Sequence, residues 1–172
     1  AGRPLLRWAA EALAAHQAIA AVGCVIHADD WPAYSAATAG LDLLAPVQGG
    51  STRQASVRNG LDALAMLPEP PERVLIHDAA RPLATPGVVS RVLAALDSAP
   101  GAIPALPVVD TLKRASHAGK IVETVPRGGL WRAQTPQGFH FAAILAAHRA
   151  ATHEDFTDDA DLLQAAGQPV TL

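Results

Sequence analysis

Residues 74–83, "VLIHDAARPL", lead three β-prone apolar residues into His77 and Asp78, then two alanines, then Arg81 braced by Pro82. A carboxylate, two side chains small enough to admit a ligand against the backbone, and a guanidinium suit recognition of a metal-bound anion. Mg²⁺ takes oxygen ligands, accepts one or two protein carboxylates and fills its shell from water and substrate phosphate, while arginine meets anions as a planar fork. Asp78 is therefore the candidate metal ligand, Ala79 a point of close ligand approach and Arg81 an anion partner. The same letters also fit a turn in which Asp78 is a cap paired with Arg81. Alternation along a strand points His77 away from Asp78, which marks it as structural.

A second group lies in "GGSTRQASVRNG", residues 49–60. Ser51 and Gln54 have capping-box spacing, so a helix is expected to start there, just behind Gly49 and Gly50. Its free N–H groups and positive dipole end would receive a polar or anionic ligand. Arg53 and Arg58 add positive charge, and Ser56 offers a hydroxyl one turn in. An ordinary capped surface helix is the alternative. A third group comprises Asp110, Thr111, Lys113 and Arg114, then Arg127, then Thr135. Hydroxyls with an arginine suit a phosphate clamp, although a solvated hairpin predicts the same alternation of polar residues. In "FTDDADLLQAAG", Thr157 is expected to cap a helix with Asp158, Asp159 and Asp161 in its first turn, where acids match the dipole without further role.

The elements that must position these residues follow from hydrophobic period. Strand-length apolar runs alternate with helical stretches, the pattern of a sheet covered by helices. Strands are expected at "GCVIHA", "LLAPV", "RVLIH" and "GAIPAL", with a mixed strand near "WRAQTP" and the start of another at "GQPVTL". Helices are expected over 4–18, 30–39, 52–66, 86–98, 139–151 and 158–166. Within 52–66, Val57, Leu61, Leu64 and Ala65 share a face; in the fourth helix Thr85 is the expected N-cap and Pro86 the first helical residue. Residues 107–130 are rich in threonine, valine and turn residues and read as an arm, reversing at "HAG". The expected class is α/β: a three-layer, Rossmann-like, mainly parallel sheet with helices on both faces and a protruding β-hairpin arm, all in one domain over 1–172. In such a sheet ligands bind beyond the carboxyl ends of the strands, where Asp78 falls.

Composition narrows the function further. The 172 residues carry thirteen basic and sixteen acidic side chains, a formal charge of -3, so no basic field exists to hold a nucleic acid. A single cysteine, Cys24, excludes an internal disulfide and suits a reducing, cytoplasmic setting. The opening "AGRPLLRWAAEALAAH" mixes charges into its apolar run and reads as an amphipathic helix rather than a signal peptide or a membrane span. There is no G-x-S-x-G, no H-E-x-x-H, no complete Walker sequence and no cysteine pair for zinc, and the seven histidines are scattered.

Read together and in order, "GGSTRQASVRNGL", "VLIHDAARP", "PVVDTLKR", "GLWRAQTPQ" and "FTDDADLLQAAG" resemble the 2-C-methyl-D-erythritol 4-phosphate cytidylyltransferases of the non-mevalonate isoprenoid pathway, over nearly the whole chain. The resemblance implies a nucleotide-diphospho-sugar transferase fold that joins CTP to methylerythritol phosphate with Mg²⁺ and releases pyrophosphate. It implies that Gly49, Gly50, Ser51, Ser56 and Ala79 line the nucleotide site, that Asp78 helps bind Mg²⁺ and that Arg81 faces the substrate. Thr111 and Arg127 match arm residues that hold methylerythritol phosphate across a homodimer. Thr157 matches another substrate contact, and Thr135 belongs to a loop of the same site. Family members also carry a strand and a glycine-rich phosphate loop before the stretch matching Ala1, and a lysine after the stretch matching Leu172; neither is in this sequence. Position 51 is serine where some relatives have an acid. The alanine-rich last helix resembles fused versions with a 2-C-methyl-D-erythritol 2,4-cyclodiphosphate synthase domain downstream. Another sugar- or alcohol-phosphate nucleotidyltransferase of the same fold, or a non-catalytic nucleotide-binding fragment, are the alternatives.

Overall fold

The computed structural model describes residues 2–152 and 156–172. In chain order its elements are α1 (Leu5–Ala14), β1 (Val25–Ile26), α2 (Trp31–Thr38), β2 (Val47–Gln48), α3 (Arg53–Ala65), β3 (Arg73–Ile76), α4 (Pro86–Ala95), β4 (Gly101–Ala102) and β5 (Ala105–Pro107). There follow β6 (Leu112–Ala115), β7 (Ile121–Val125), β8 (Trp131–Ala133), β9 (Gln137–His140), α5 (Phe141–Ala150), α6 (Asp159–Ala165) and β10 (Val170–Thr171). The helices fall where the 3.6-residue period placed them.

A four-stranded sheet has the order β10-β4-β9-β3. β10 is parallel to β4, and β9 is antiparallel to both β4 and β3. Three of these strands therefore point one way and β9 alone runs back; β1 and β2 form a separate parallel pair. Side chains of β3 alternate between two cores. Val74 and Ile76 pack with Leu61, Phe139, Ile144 and Leu163, whereas Leu75 packs with Val92, Leu96 and Ala102. Consequently α3, α5 and α6 cover one face and α4 the other, which gives the three α/β layers. Each fully buried Leu, Ile or Phe here contributes about 1.5–3 kcal/mol of transfer free energy.

Two departures from regular strand structure bear on the site and its surroundings. "GAIPAL" is not one strand: it breaks into β4 and β5 at Pro104, which has no N–H to offer the ladder. On the facing side residues 134–136 separate β8 from β9, although Gln134 N–H still donates to the Pro104 carbonyl at 2.8 Å. Such irregularities in a ladder re-aim side chains, and this one brings Thr135 to the end of β3. Beyond it β6 and β7 form the arm, an antiparallel hairpin. The arm reverses with Gly119 at φ +74°, where its N–H donates to the Ser116 carbonyl.

The helix caps differ from expectation by one residue. Thr52, not Ser51, caps α3: it has extended backbone and its hydroxyl accepts from Ala55 N–H at 3.1 Å. Asp158, not Thr157, caps α6 by accepting from Asp161 N–H at 2.8 Å. In both cases two adjacent residues are good caps, and the one with extended dihedrals directly before the first helical residue takes the role. Thr85 does hold the cap position of α4, with Pro86 following, but makes no side-chain cap bond.

Candidate active site at the end of β3

β3 stops at Ile76, and the backbone turns over residues 78–81, with Arg81 N–H donating to the Asp78 carbonyl at 2.9 Å. The turn sets carboxylate and guanidinium side by side: Arg81 Nε donates to Asp78 Oδ2 at 3.3 Å. Arg81 Nη1 also donates to Gln134 Oε1. From the first turn of α3, Arg53 places Nε 3.9 Å from Asp78 Oδ1. The start of the serine-bearing helix and the carboxylate thus converge on one cleft. The cleft encloses about 280 Å³, and its walls include Arg53, Asp78, Arg81, Thr135, Gln137 and Thr157.

A slightly larger hollow of about 300 Å³ lies between α3 and α5. No carboxylate lines it among the described residues, so the smaller cavity is where metal and anion chemistry can occur. There Asp158 is committed: Oδ1 caps α6 and Oδ2 accepts from Gln137 Nε2 at 2.8 Å. Asp78 is the lining carboxylate that receives no backbone N–H among the described residues. No three His, Cys, Asp or Glu side chains of the described residues gather into a cage for a cation. One accessible carboxylate flanked by two arginines fits Mg²⁺ arriving with a polyphosphate, which itself supplies most of the oxygen ligands.

Behind the cavity stands a chain of buried charge. Arg53 Nη2 donates to Asp159 Oδ2 at 2.7 Å, and His148 Nε2 lies 3.0 Å from Asp159 Oδ1. Asp159 and His148 are each 1% exposed. Burial pushes the Asp159 carboxyl up, but the His148 hydrogen bond and the Arg53 guanidinium outweigh it and hold the group below the ordinary carboxylate value. Burial likewise disfavours the charge on Arg53, and Asp159 more than offsets that. Asp159 is ionised near neutrality, so a carboxylate that can only accept takes the proton of His148 Nε2–H. The first-turn acids of α6 therefore do more than match its dipole.

Gly50 is fixed by close packing. A Cβ built there would lie 2.5 Å from the Ala55 Cβ, so only glycine lets the loop fold over the start of α3. Ser56 spends its hydroxyl on that fold: Oγ donates to the Thr52 carbonyl at 2.8 Å and accepts from Gly50 N–H at 3.1 Å. Gly49, Gly50, Ser51 and Ser56 do not line the 280 Å³ cavity; Arg53 carries their helix turn to it. Ala79 sits exposed on the turn. Thr111 and Arg127 lie on the arm and away from the cavity's walls, with Arg127 donating to the Val109 carbonyl.

The model of the family described as "2-C-methyl-D-erythritol 4-phosphate cytidylyltransferase" matches residues 1–172. The chain belongs to that family. It is 53% identical over 172 residues to the bifunctional enzyme IspD/IspF of Gluconobacter oxydans, covering 99% of this chain and 42% of that protein. With the corresponding enzyme of Rhodospirillum rubrum the identity is 54%, covering 99% of this chain and 44% of that one. The chain therefore spans less than half the length of these curated relatives. The fold agrees with the crystal structure of 2-C-methyl-D-erythritol 4-phosphate cytidylyltransferase from Thermus thermophilus: TM-score 0.82, 38% identity, 99% of this chain and 78% of that one.

Sequence reasoning brought Asp78, Arg81, Thr135 and Thr157 to this cytidylyltransferase cleft. It missed Gln134 and Gln137, and the link from Arg53 through Asp159 to His148. Gln137 is 2% exposed, and its Oε1 has no partner among the described residues. A signal for Asp159 did exist. Leu162 and Leu163 stand three and four residues beyond it, so helical period puts the acid on their buried face.

Proposed function

We propose that the chain transfers CMP from CTP to 2-C-methyl-D-erythritol 4-phosphate, releasing pyrophosphate, in isoprenoid precursor synthesis. The observation that carries this reading is the cleft at the end of β3, where Asp78 stands between Arg53 and Arg81 in a chain of the cytidylyltransferase family. A phosphate oxygen of the acceptor attacks the α-phosphorus of CTP in line as the bond to pyrophosphate breaks. No general base is needed at the nucleophile, since a phosphate monoester with a second pKa of about 6 is already largely ionised near neutrality. The protein's work is to hold two anions together and to spread their charge.

Asp78 is the residue to hold Mg²⁺, which when bound would neutralise phosphate charge and act as a Lewis acid on the phosphoryl oxygens. Arg81 and Arg53 set a fixed positive field around that carboxylate. Gly49, Gly50, Ser51, Ser56 and Ala79 shape the nucleotide side, and Thr157 and Thr135 the acceptor side. Thr111 and Arg127 are read as acting across a homodimer formed through the arm, with residues 1–172 as one nucleotidyltransferase domain. No helix among the described residues is long and apolar enough to cross a membrane, and the lone Cys24 suits a cytoplasmic setting.

The test is pyrophosphate release by the full gene product with CTP, methylerythritol phosphate and Mg²⁺, beside parallel reactions with UTP and GTP. Asp78→Asn should lower turnover by about two orders of magnitude or more while thermal unfolding stays within a few degrees. Turnover by this variant close to wild type would remove Asp78 from the chemistry.

A further inference from the structure

Two side chains at this cleft are turned away from it. Thr135 Oγ1 accepts from the Asp78 backbone N–H at 3.3 Å and lies 2.9 Å from His77 Nδ1. On the other edge of the imidazole, His77 Nε2 is 3.0 Å from the Arg81 carbonyl. Arg81 N–H in turn donates to the Asp78 carbonyl at 2.9 Å. A carbonyl only accepts, so Nε2 carries the ring proton and the neutral tautomer leaves Nδ1 as an acceptor. Nδ1 then takes the threonine hydroxyl proton, and Oγ1 is free to accept from Asp78. Every donor in this ring faces an acceptor. The ring ties both ends of the 78–81 turn to β3 and to the 134–136 segment.

We propose that His77 and Thr135 are positioning residues that fix the Asp78 carboxylate and the Arg81 guanidinium by closing this ring of hydrogen bonds around the turn. The proposal rests on the reading that Asp78 and Arg81 meet the metal-bound nucleotide. It gives Thr135 a task other than substrate contact, because its hydroxyl donates to His77 and accepts from the turn. It also explains why alternation sends His77 to the opposite side from Asp78: from there it grips the carbonyl at the far end of the turn.

The test compares Thr135→Val, which keeps shape and loses the hydroxyl, with Thr135→Ser, which keeps the hydroxyl, in the full gene product. Partners that orient a metal ligand typically change affinity or activity about 10–100-fold when lost. Thr135→Val should fall in that range in kcat and need correspondingly more Mg²⁺ for half-maximal rate, with the KM for methylerythritol phosphate little changed. Thr135→Ser should recover most of both. Independently of turnover, the ¹⁵N shifts of His77 should report the Nε2–H tautomer in the wild type and a mixture in Thr135→Val. His77→Phe combined with Thr135→Val should be no worse than His77→Phe alone, since either change opens the same ring. A Thr135→Val protein that loses thermal stability but keeps wild-type kcat and Mg²⁺ dependence would reduce the ring to a structural feature. A rise confined to the KM for methylerythritol phosphate would make Thr135 a substrate contact instead. An Nδ1–H tautomer in the wild type would overturn the ring directly. Asp78→Asn assayed alongside separates the two levels: if it stays active the metal reading fails, and if it is dead while Thr135→Val is normal only the ring fails.

Discussion

The cleft at the end of β3 and the arm are built on opposite principles. In the cleft, polar groups from distant segments hold each other: Arg53 from α3, Asp78 and Arg81 after β3, Thr135 before β9 and Asp159 from α6. In the arm, β6 and β7 hold mainly one another. The Lys113–Thr124 bond and the Arg114–Glu123 ion pair both lie within the hairpin. Ile121 and Val122 remain 67% and 65% exposed. An isolated two-stranded hairpin is marginal in water. The cleft's geometry is therefore imposed by the fold, whereas the arm carries apolar surface that only a further surface can cover, consistent with the homodimer reading.

The sharpest break of this contrast is at Asp159. Replacing it with Asn leaves buried His148 and half of Arg53's pairing without a carboxylate, a loss on the order of 3 kcal/mol. For a chain of this size that lowers Tm by roughly 6–12 °C. Calorimetry checks the figure, and an unchanged Tm would show that the buried charge chain holds nothing. The sign with pH follows from linkage. The folded carboxyl is held below its ordinary value, so its contribution is full above that value and is lost as pH falls through the lowered one. The acid side of a Tm–pH curve should accordingly be shallower in Asp159→Asn than in the wild type, with the two curves drawing together at the acid end.

Much of this architecture was legible in the chain. The apolar run before Asp78 fixed the end of β3, because a carboxylate cannot follow three buried residues into the sheet. The 3.6-residue period placed Val57, Leu61, Leu64 and Ala65 on the face that packs the core. Local choices between equivalent neighbours were not legible. Ser51 and Thr52, like Thr157 and Asp158, are equally able caps, and only backbone dihedrals choose between them. Nor were long-range partnerships: Arg53 and Asp159 are 106 residues apart, and nothing near either one specifies the other. The division of "GAIPAL" was half visible, since Pro104 announces a missing donor without saying which strand will bulge opposite it.

The arm is the place for a change that spares the fold. Arg127 is exposed and bonds only to the Val109 carbonyl among the described residues, so Arg127→Ala should leave Tm nearly unchanged. If it clamps the acceptor phosphate across a dimer, the KM for methylerythritol phosphate should rise tenfold or more, about 1.4 kcal/mol, with the KM for CTP little altered. Equal rises in both constants would argue against a clamp on the acceptor. Mixing Arg127→Ala with Asp78→Asn subunits sharpens the point. In a mixed dimer each variant supplies what the other lacks, so partial activity should return only if the arm serves the neighbouring site.

Gly119 gives the smallest effect and the cleanest separation of the two regions. Alanine at φ +74° costs about 1–2 kcal/mol in the left-handed conformation, and the space around it is open, so no packing is disturbed. Because the hairpin's bonds are internal, that cost should appear as faster amide exchange in β6 and β7 with little change in the global transition. A matching drop in Tm would mean that the arm unfolds together with the sheet, and that its apparent independence is an accident of shape.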